Sequence, residues 1–303
     1  MLTVSQISWA VILIITWPCG FILNSSIVAV YLRTRKNEMK RGECDKILLA
    51  MACSNVLLLS MIAFDMTFVT YGLYIMFAKE FSLAISVILF FSIHFSFWLT
   101  ACLSLFYCLR LVNFSHQVLT HLQRRMSIVV PLFLLASLLI SWLINVPLIW
   151  MVQIDTNQNS TSIYQDYIFH YDRLYMIFNI VFGSTLPFVV TSLCIGLCLI
   201  SLLKHVQSMR QHISQYWSPQ LKSHVKAFRT MLLLLILNLI FFTTFGSLYL
   251  VQNNLGAVFQ AVLWSATMFI PSGQATILIF GNSKFASTWS KALPMFGSCD
   301  RNV

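Results

Sequence analysis

Ser127–Met151 reads SIVVPLFLLASLLISWLINVPLIWM and carries no charged side chain. About 20 apolar residues in a row cross the hydrocarbon core as a helix. Six similarly apolar runs lie at Ile7–Leu32, Ile47–Tyr71, Leu83–Leu109, Leu174–Leu203, Thr230–Val251 and Ala257–Phe280. The chain therefore reads as an all-α membrane protein, a seven-transmembrane helix bundle in a single domain over residues 1–303.

The basic residues set its orientation. Segments 33–46, 110–125 and 204–229 and the tail from Gly281 hold six, three, five and three Lys or Arg, which is 17 of the 19. Only Lys79 and Arg173 fall on the other side. Lys and Arg collect in cytoplasmic loops, so the crowded side is inside and the N-terminus outside. The first apolar run is too long for a cleavable signal peptide and is followed by bases, so span one is expected to serve as its own uncleaved signal.

A chain that is 58% hydrophobic and 9% charged is no ordinary soluble domain. Its net charge of +10 is explained by short cytoplasmic loops facing anionic lipid. No nucleic-acid motif is visible, and no nucleic-acid partner is expected. All eight cysteines fall within spans or on the inner side, so no disulfide is expected in the outer loops. Of three N-glycosylation sequons, at Asn24, Asn113 and Asn159, only Asn159 lies in an outer loop, and it is the expected acceptor.

The outer N-terminus is a handful of residues, and the longest outer segment is Gln153–Asp172. A ligand must then bind among the helices or on that loop. After span seven, Phe285, Trp289 and Leu293 recur every four residues, with Lys284 and Lys291 elsewhere on the turn. This predicts a short amphipathic helix over 283–294 on the inner leaflet, ended by Pro294. Pro18, Pro147, Pro187 and Pro271 lie inside or near the ends of spans, where each removes a helical hydrogen bond and serves as a hinge or as static shape.

Enzyme chemistry has little material. The spans offer mainly Asp65 and His94, no convergent metal-ligand set, and no lysine in span seven for a retinal Schiff base. No cofactor and no metal are expected. Asp65 lies about 18 residues into span two, roughly 27 Å from its inner end. A carboxylate there is costly unless it meets water, a partner or a ligand. It is a candidate for an outward-facing pocket that favours cationic or hydrogen-bond-donating ligands, or else an acid snorkelling to the interface. Asn24, Asn55 and Asn145 are polar residues in apolar helices, whose default role is interhelical hydrogen bonding. Asn24 and Asn55 read as structural, and Trp98 and Trp142 as packing.

The inner half of span three ends Phe106-Tyr107-Cys108-Leu109-Arg110-Leu111-Val112-Asn113-Phe114-Ser115. This run, from Phe97 onward, resembles the bitter taste receptors, the type 2 taste receptor family of G protein-coupled receptors. Three further runs resemble that family in order: Ser201–Met209, His224–Arg229 and Pro271–Lys284. Asn24 matches the family's span-one Asn. The resemblance covers essentially the whole chain. Departures are Asn55 for an Arg, Gln274-Ala275 for His-Ser, Leu89 for a pocket Trp, Ile93 for a pocket Asn, Phe241 for a Tyr, and Trp264 for a polar residue.

The resemblance implies a multi-pass plasma-membrane receptor. It would bind small, often bitter molecules and activate a heterotrimeric G protein of the gustducin or inhibitory class. It implies a pocket formed by Asp65, Leu89, Ile93, His94, Met176, Asn179, Phe241, Phe245 and Trp264. Tyr107, Arg110, His205 and Lys226 are the implied coupling residues at the inner rim. A vomeronasal type 1 receptor is the nearest rival, against which the Phe97–Ser115 run argues. A seven-span solute transporter is the rival of another class and predicts flux without a G protein. The sequence leaves the oligomeric state open, a receptor oligomer included.

Overall fold

The computed structural model describes residues 4–36, 42–73, 77, 79–112, 117–156, 167–211, 219–250 and 257–282. Helices α1 (Val4–Lys36), α2 (Glu43–Tyr71) and α3 (Lys79–Leu111) supply the first three spans. A short helix α4 (Gln117–Arg124) leads into α5 (Met126–Asn145), and the fourth span is completed by the single turn α6 (Leu148–Met151). The fifth span is built from α7 (Arg173–Asn179), a π-helical turn (Ile180–Thr185) and α8 (Leu186–Gln211). The sixth and seventh are α9 (Pro219–Leu250) and α10 (Ala257–Gly281). Among the described residues, seven helices are long and apolar enough to cross a membrane.

Between α6 and α7 the outer loop forms an antiparallel ribbon of β1 (Val152–Thr156) and β2 (Tyr167–Tyr171). Its register runs from Val152 opposite Tyr171 to Thr156 opposite Tyr167. Asn159 lies outside the described residues, as does the amphipathic segment 283–294.

Local chemistry explains several boundaries. Asp172 caps α7, its carboxylate accepting from the N–H groups of Leu174 (2.8 Å) and Tyr175 (3.0 Å). Pro219 opens α9, where a missing N–H costs nothing because that donor has no helical partner. Pro147 interrupts the fourth span between α5 and α6, since it cannot donate back and restrains the residue before it. Pro131 lies inside α5 without ending it. The π-helical turn ends two residues before Pro187, whose ring would crowd the carbonyl of Gly183 in a regular helix. Widening to an i+5 pattern, with Leu186 N–H reaching Val181 O, relieves that crowding.

α3 is the central helix: 72% of its apolar window is buried, against 22–50% for the others. It packs on α2, α5 and α8, while α10 closes the ring against α1, α2 and α9. Large apolar side chains face outward, including Ile14, Leu143 and Leu174, each more than 70% exposed. Hydrocarbon is the solvent for these, and buried polar side chains cross-link the interior instead.

Candidate functional site

The outer half of the bundle holds one large apolar cluster centred on α3. Leu89, Ile93, Phe241 and Phe245 are buried in it, and Met176 and Trp264 pack against it. The ring of Phe241 stacks on Phe97 at 4.8 Å between centroids, and Phe245 meets Phe90 edge-on at 5.8 Å. These rings weld α9 to α3. Six of the nine pocket residues read from sequence therefore share one cluster.

His94 and Asn179 bring polar atoms to the same level. His94 is fully buried, and its ring lies edge-on to Phe245 at 6.3 Å. The Asn145 amide is 3.0 Å from His94 Nδ1 and also donates to Ser141 O at 2.7 Å. The second bond fixes the amide nitrogen as the donor, so His94 Nδ1 accepts and its proton sits on Nε2. Asn179 donates to the Tyr175 hydroxyl at 3.0 Å. Four buried polar atoms of this region have no protein partner: His94 Nε2, Asn145 Oδ1, Asn179 Oδ1 and Ser184 Oγ. A buried polar atom left unmatched costs about 1–3 kcal/mol. This region thus offers one donor, two carbonyl-type acceptors and a hydroxyl to an incoming molecule or water.

Asp65 is half-buried on α2, next to Met66 of the apolar cluster. An aromatic group of Phe64, Phe68, Phe77 and Phe81 joins the outer ends of α2 and α3 close by, with Phe64 and Phe68 at 4.1 Å.

Two further polar groupings lie deeper. Asn24 Nδ2 donates to Gly20 O (2.8 Å) and Pro271 O (3.3 Å), while Asn55 Nδ2 donates to Asn24 Oδ1 at 3.1 Å. This ties α1, α2 and α10 together. Gln274 Nε2 donates to Ser96 Oγ (3.3 Å) and Asn238 Oδ1 (3.5 Å), joining α10 to α3 and α9.

At the inner ends, the Tyr107 hydroxyl is 3.6 Å from Cys44 Sγ, linking α3 to the start of α2. Arg110 is exposed at the end of α3. Lys226 lines a cleft of about 640 Å³ between α9 and α10. The side chain of His205 lies outside the described residues. Among the described residues, no group of three or more His, Cys, Asp or Glu is arranged to hold a metal.

Residues 1–296 match the family described as "Taste receptor protein (TAS2R)". The chain belongs to this taste receptor family. It is 28% identical to rat taste receptor type 2 member 129 over 298 residues, 95% of this chain and 93% of that protein. It is 26% identical to human taste receptor type 2 member 9 over 289 residues, 91% and 88% of the two chains. Rat member 140 is 33% identical over 199 residues, 63% of this chain and 62% of its own. The protein is accordingly a bitter taste receptor-like G protein-coupled receptor, multi-pass in the plasma membrane, and not an enzyme. Small-molecule ligands and G-protein coupling belong to the family in general.

Sequence reading of this taste receptor missed Phe90, Phe97, Tyr175, Gly183 and Ser184 as neighbours of the outer site. Phe90, His94 and Phe97 stand at i, i+4 and i+7 on α3, the spacing of one helix face, and that signal was available. Asn145 was read only as interhelical glue, and its pairing with His94 could not be read from spacing across two helices. Trp98, read as packing, keeps a buried Nε1 without a protein partner.

Proposed function

We propose that this receptor binds a small, mainly apolar molecule in the outer half of its bundle. The observation that carries this is the convergence, around α3, of an apolar cluster with four unmatched buried polar atoms. Ligand sites are mostly apolar with a few convergent polar groups, and this region has that composition. Leu89, Ile93, Phe241, Phe245, Met176 and Trp264 supply the apolar walls. His94 and Asn179 are the anchors, and Asp65 approaches from α2. The agonist would be a bitter-type compound with a hydrogen-bond acceptor for His94 Nε2–H.

Binding shifts the receptor only if the agonist favours the active arrangement. Movement of α9 relative to α3 then opens the inner face to a heterotrimeric G protein of the gustducin or inhibitory class. Tyr107, Arg110, His205 and Lys226 are the proposed coupling residues. Asn159 is the proposed glycosylation site.

Expression with a promiscuous chimeric G protein, followed by calcium imaging against a bitter-compound panel, tests this reading. A response that depends on the G protein and weakens in His94→Ala and Phe245→Ala supports it. Solute uptake with no G-protein signal would replace it with a transporter.

A further inference from the structure

We propose that the cleft between the inner ends of α9 and α10 binds the headgroup of a phosphorylated inositol lipid from the cytoplasmic leaflet. Its lining comes from two helix faces. Val225, Lys226, Arg229, Thr230 and Leu233 stand on α9, and Thr276, Ile277, Phe280 and Gly281 on α10. Lys226 and Arg229 are three residues apart and therefore share a face. Among the described lining residues there is no carboxylate, and the described salt bridge is elsewhere, between Lys46 and Glu43. Two cations thus flank a cleft of about 640 Å³. That is room for a phosphorylated ring rather than a single anion.

The hydroxyls narrow the class. Thr230 Oγ1 donates to Lys226 O at 3.0 Å, and Thr276 Oγ1 donates to Ser272 O at 2.9 Å. Both donors are used internally, so each oxygen is left as an acceptor. Phosphate is then held by Lys226 and Arg229, while ring hydroxyls of the headgroup donate to the two threonines. Headgroups that carry an ammonium, such as serine or choline, find no anion among the described lining residues to match it.

The surroundings favour a lipid over a soluble phosphate. Phe280 is 70% exposed and Leu233 39% exposed, so the cleft's apolar walls continue onto the lipid-facing surface of the bundle. Gly281 sits against Thr230, where a Cβ would collide with the threonine side chain, so the two helices touch within the lining. An acyl chain can follow the exposed wall outward while the headgroup stays at the level of the cations.

Native mass spectrometry of the purified receptor, without G protein, tests the proposal. The probe is mixed micelles with equal amounts of phosphatidylinositol phosphate, phosphatidylserine and phosphatidylcholine. Preferential retention of the phosphoinositide is expected. Removing one cation should weaken retention roughly fivefold, and Lys226→Ala with Arg229→Ala about thirtyfold. Arg124→Ala with Arg125→Ala removes the same charge elsewhere on the inner face and should leave retention unchanged. Thr276→Phe fills the cleft with both cations present and should also abolish the preference. Equal retention of phosphatidylserine, an equal loss in the Arg124/Arg125 control, or full retention in Thr276→Phe overturns the proposal. Displacement by a soluble inositol phosphate at equal concentration overturns the lipid assignment.

Discussion

The ring of His94 on α3 lies against the backbone of Gly183 in the π-helical turn, so closely that a Cβ there would stand 2.6 Å from Nε2. The turn exists because the chain must reach Pro187 without crowding the Gly183 carbonyl, and the absent side chain leaves space for the imidazole. Gly183→Ala is therefore expected to push His94 away from Asn145 and destabilise the receptor by about 1–3 kcal/mol. Thermal unfolding of the purified protein measures this. In a His94→Ala background the same substitution should cost much less, because the colliding ring is gone. Equal shifts in both backgrounds would show that the contact is not the cause.

Gln274 joins three helices, and its removal should be felt in signalling as well as stability. Gln274→Leu cuts the bonds to Ser96 on α3 and Asn238 on α9. Interhelical bonds of this kind contribute about 0.6–2 kcal/mol in membranes. With α9 less tightly held, ligand-independent G-protein activation is expected to rise. Basal signal normalised to surface expression is the readout, and an unchanged value argues against a restraining role.

Asp65 gives a test of charge in the outer site. Asp65→Asn keeps the shape and one acceptor oxygen but removes the negative charge. Cationic agonists should lose roughly tenfold in potency, equivalent to about 1.4 kcal/mol, and neutral agonists should change little. Dose–response curves for matched cationic and neutral compounds check this. Unchanged potency for every agonist would leave Asp65 without a recognition role.

Hydropathy and charge disclosed depth in the bilayer, because lipid leaves the backbone few ways to cross it. They did not disclose rotation about each helix axis. That is why Leu89, Ile93, Phe241 and Phe245 were assigned to one region through family resemblance, while the pairing of His94 with Asn145, 51 residues apart, went unread. The π-helical turn was hidden for a different reason. It depends on how Pro187 and its preceding turn settle against α3, which no local pattern encodes. The outer ribbon is legible in composition, since Val152–Thr156 and Tyr167–Tyr171 are rich in the β-branched and aromatic residues that favour strands.

The inner end of α3 separates two roles that lie one turn apart. Tyr107 points toward Cys44 of α2 at 3.6 Å, whereas Arg110 is exposed. Sulfur is a weak partner, so Tyr107→Phe should cost well under about 1 kcal/mol of stability. Arg110→Glu reverses a charge on the surface proposed to meet the G protein. Like charges facing one another across an interface oppose association. The variant is expected to reach the cell surface and bind agonist normally, but to activate G protein at least about tenfold less efficiently. Activation of purified G protein by purified receptor, at matched receptor concentration, separates coupling from expression. Intact activation by Arg110→Glu would remove Arg110 from the coupling surface. An equal loss in Tyr107→Phe would move the effect from G-protein contact to the α2–α3 junction.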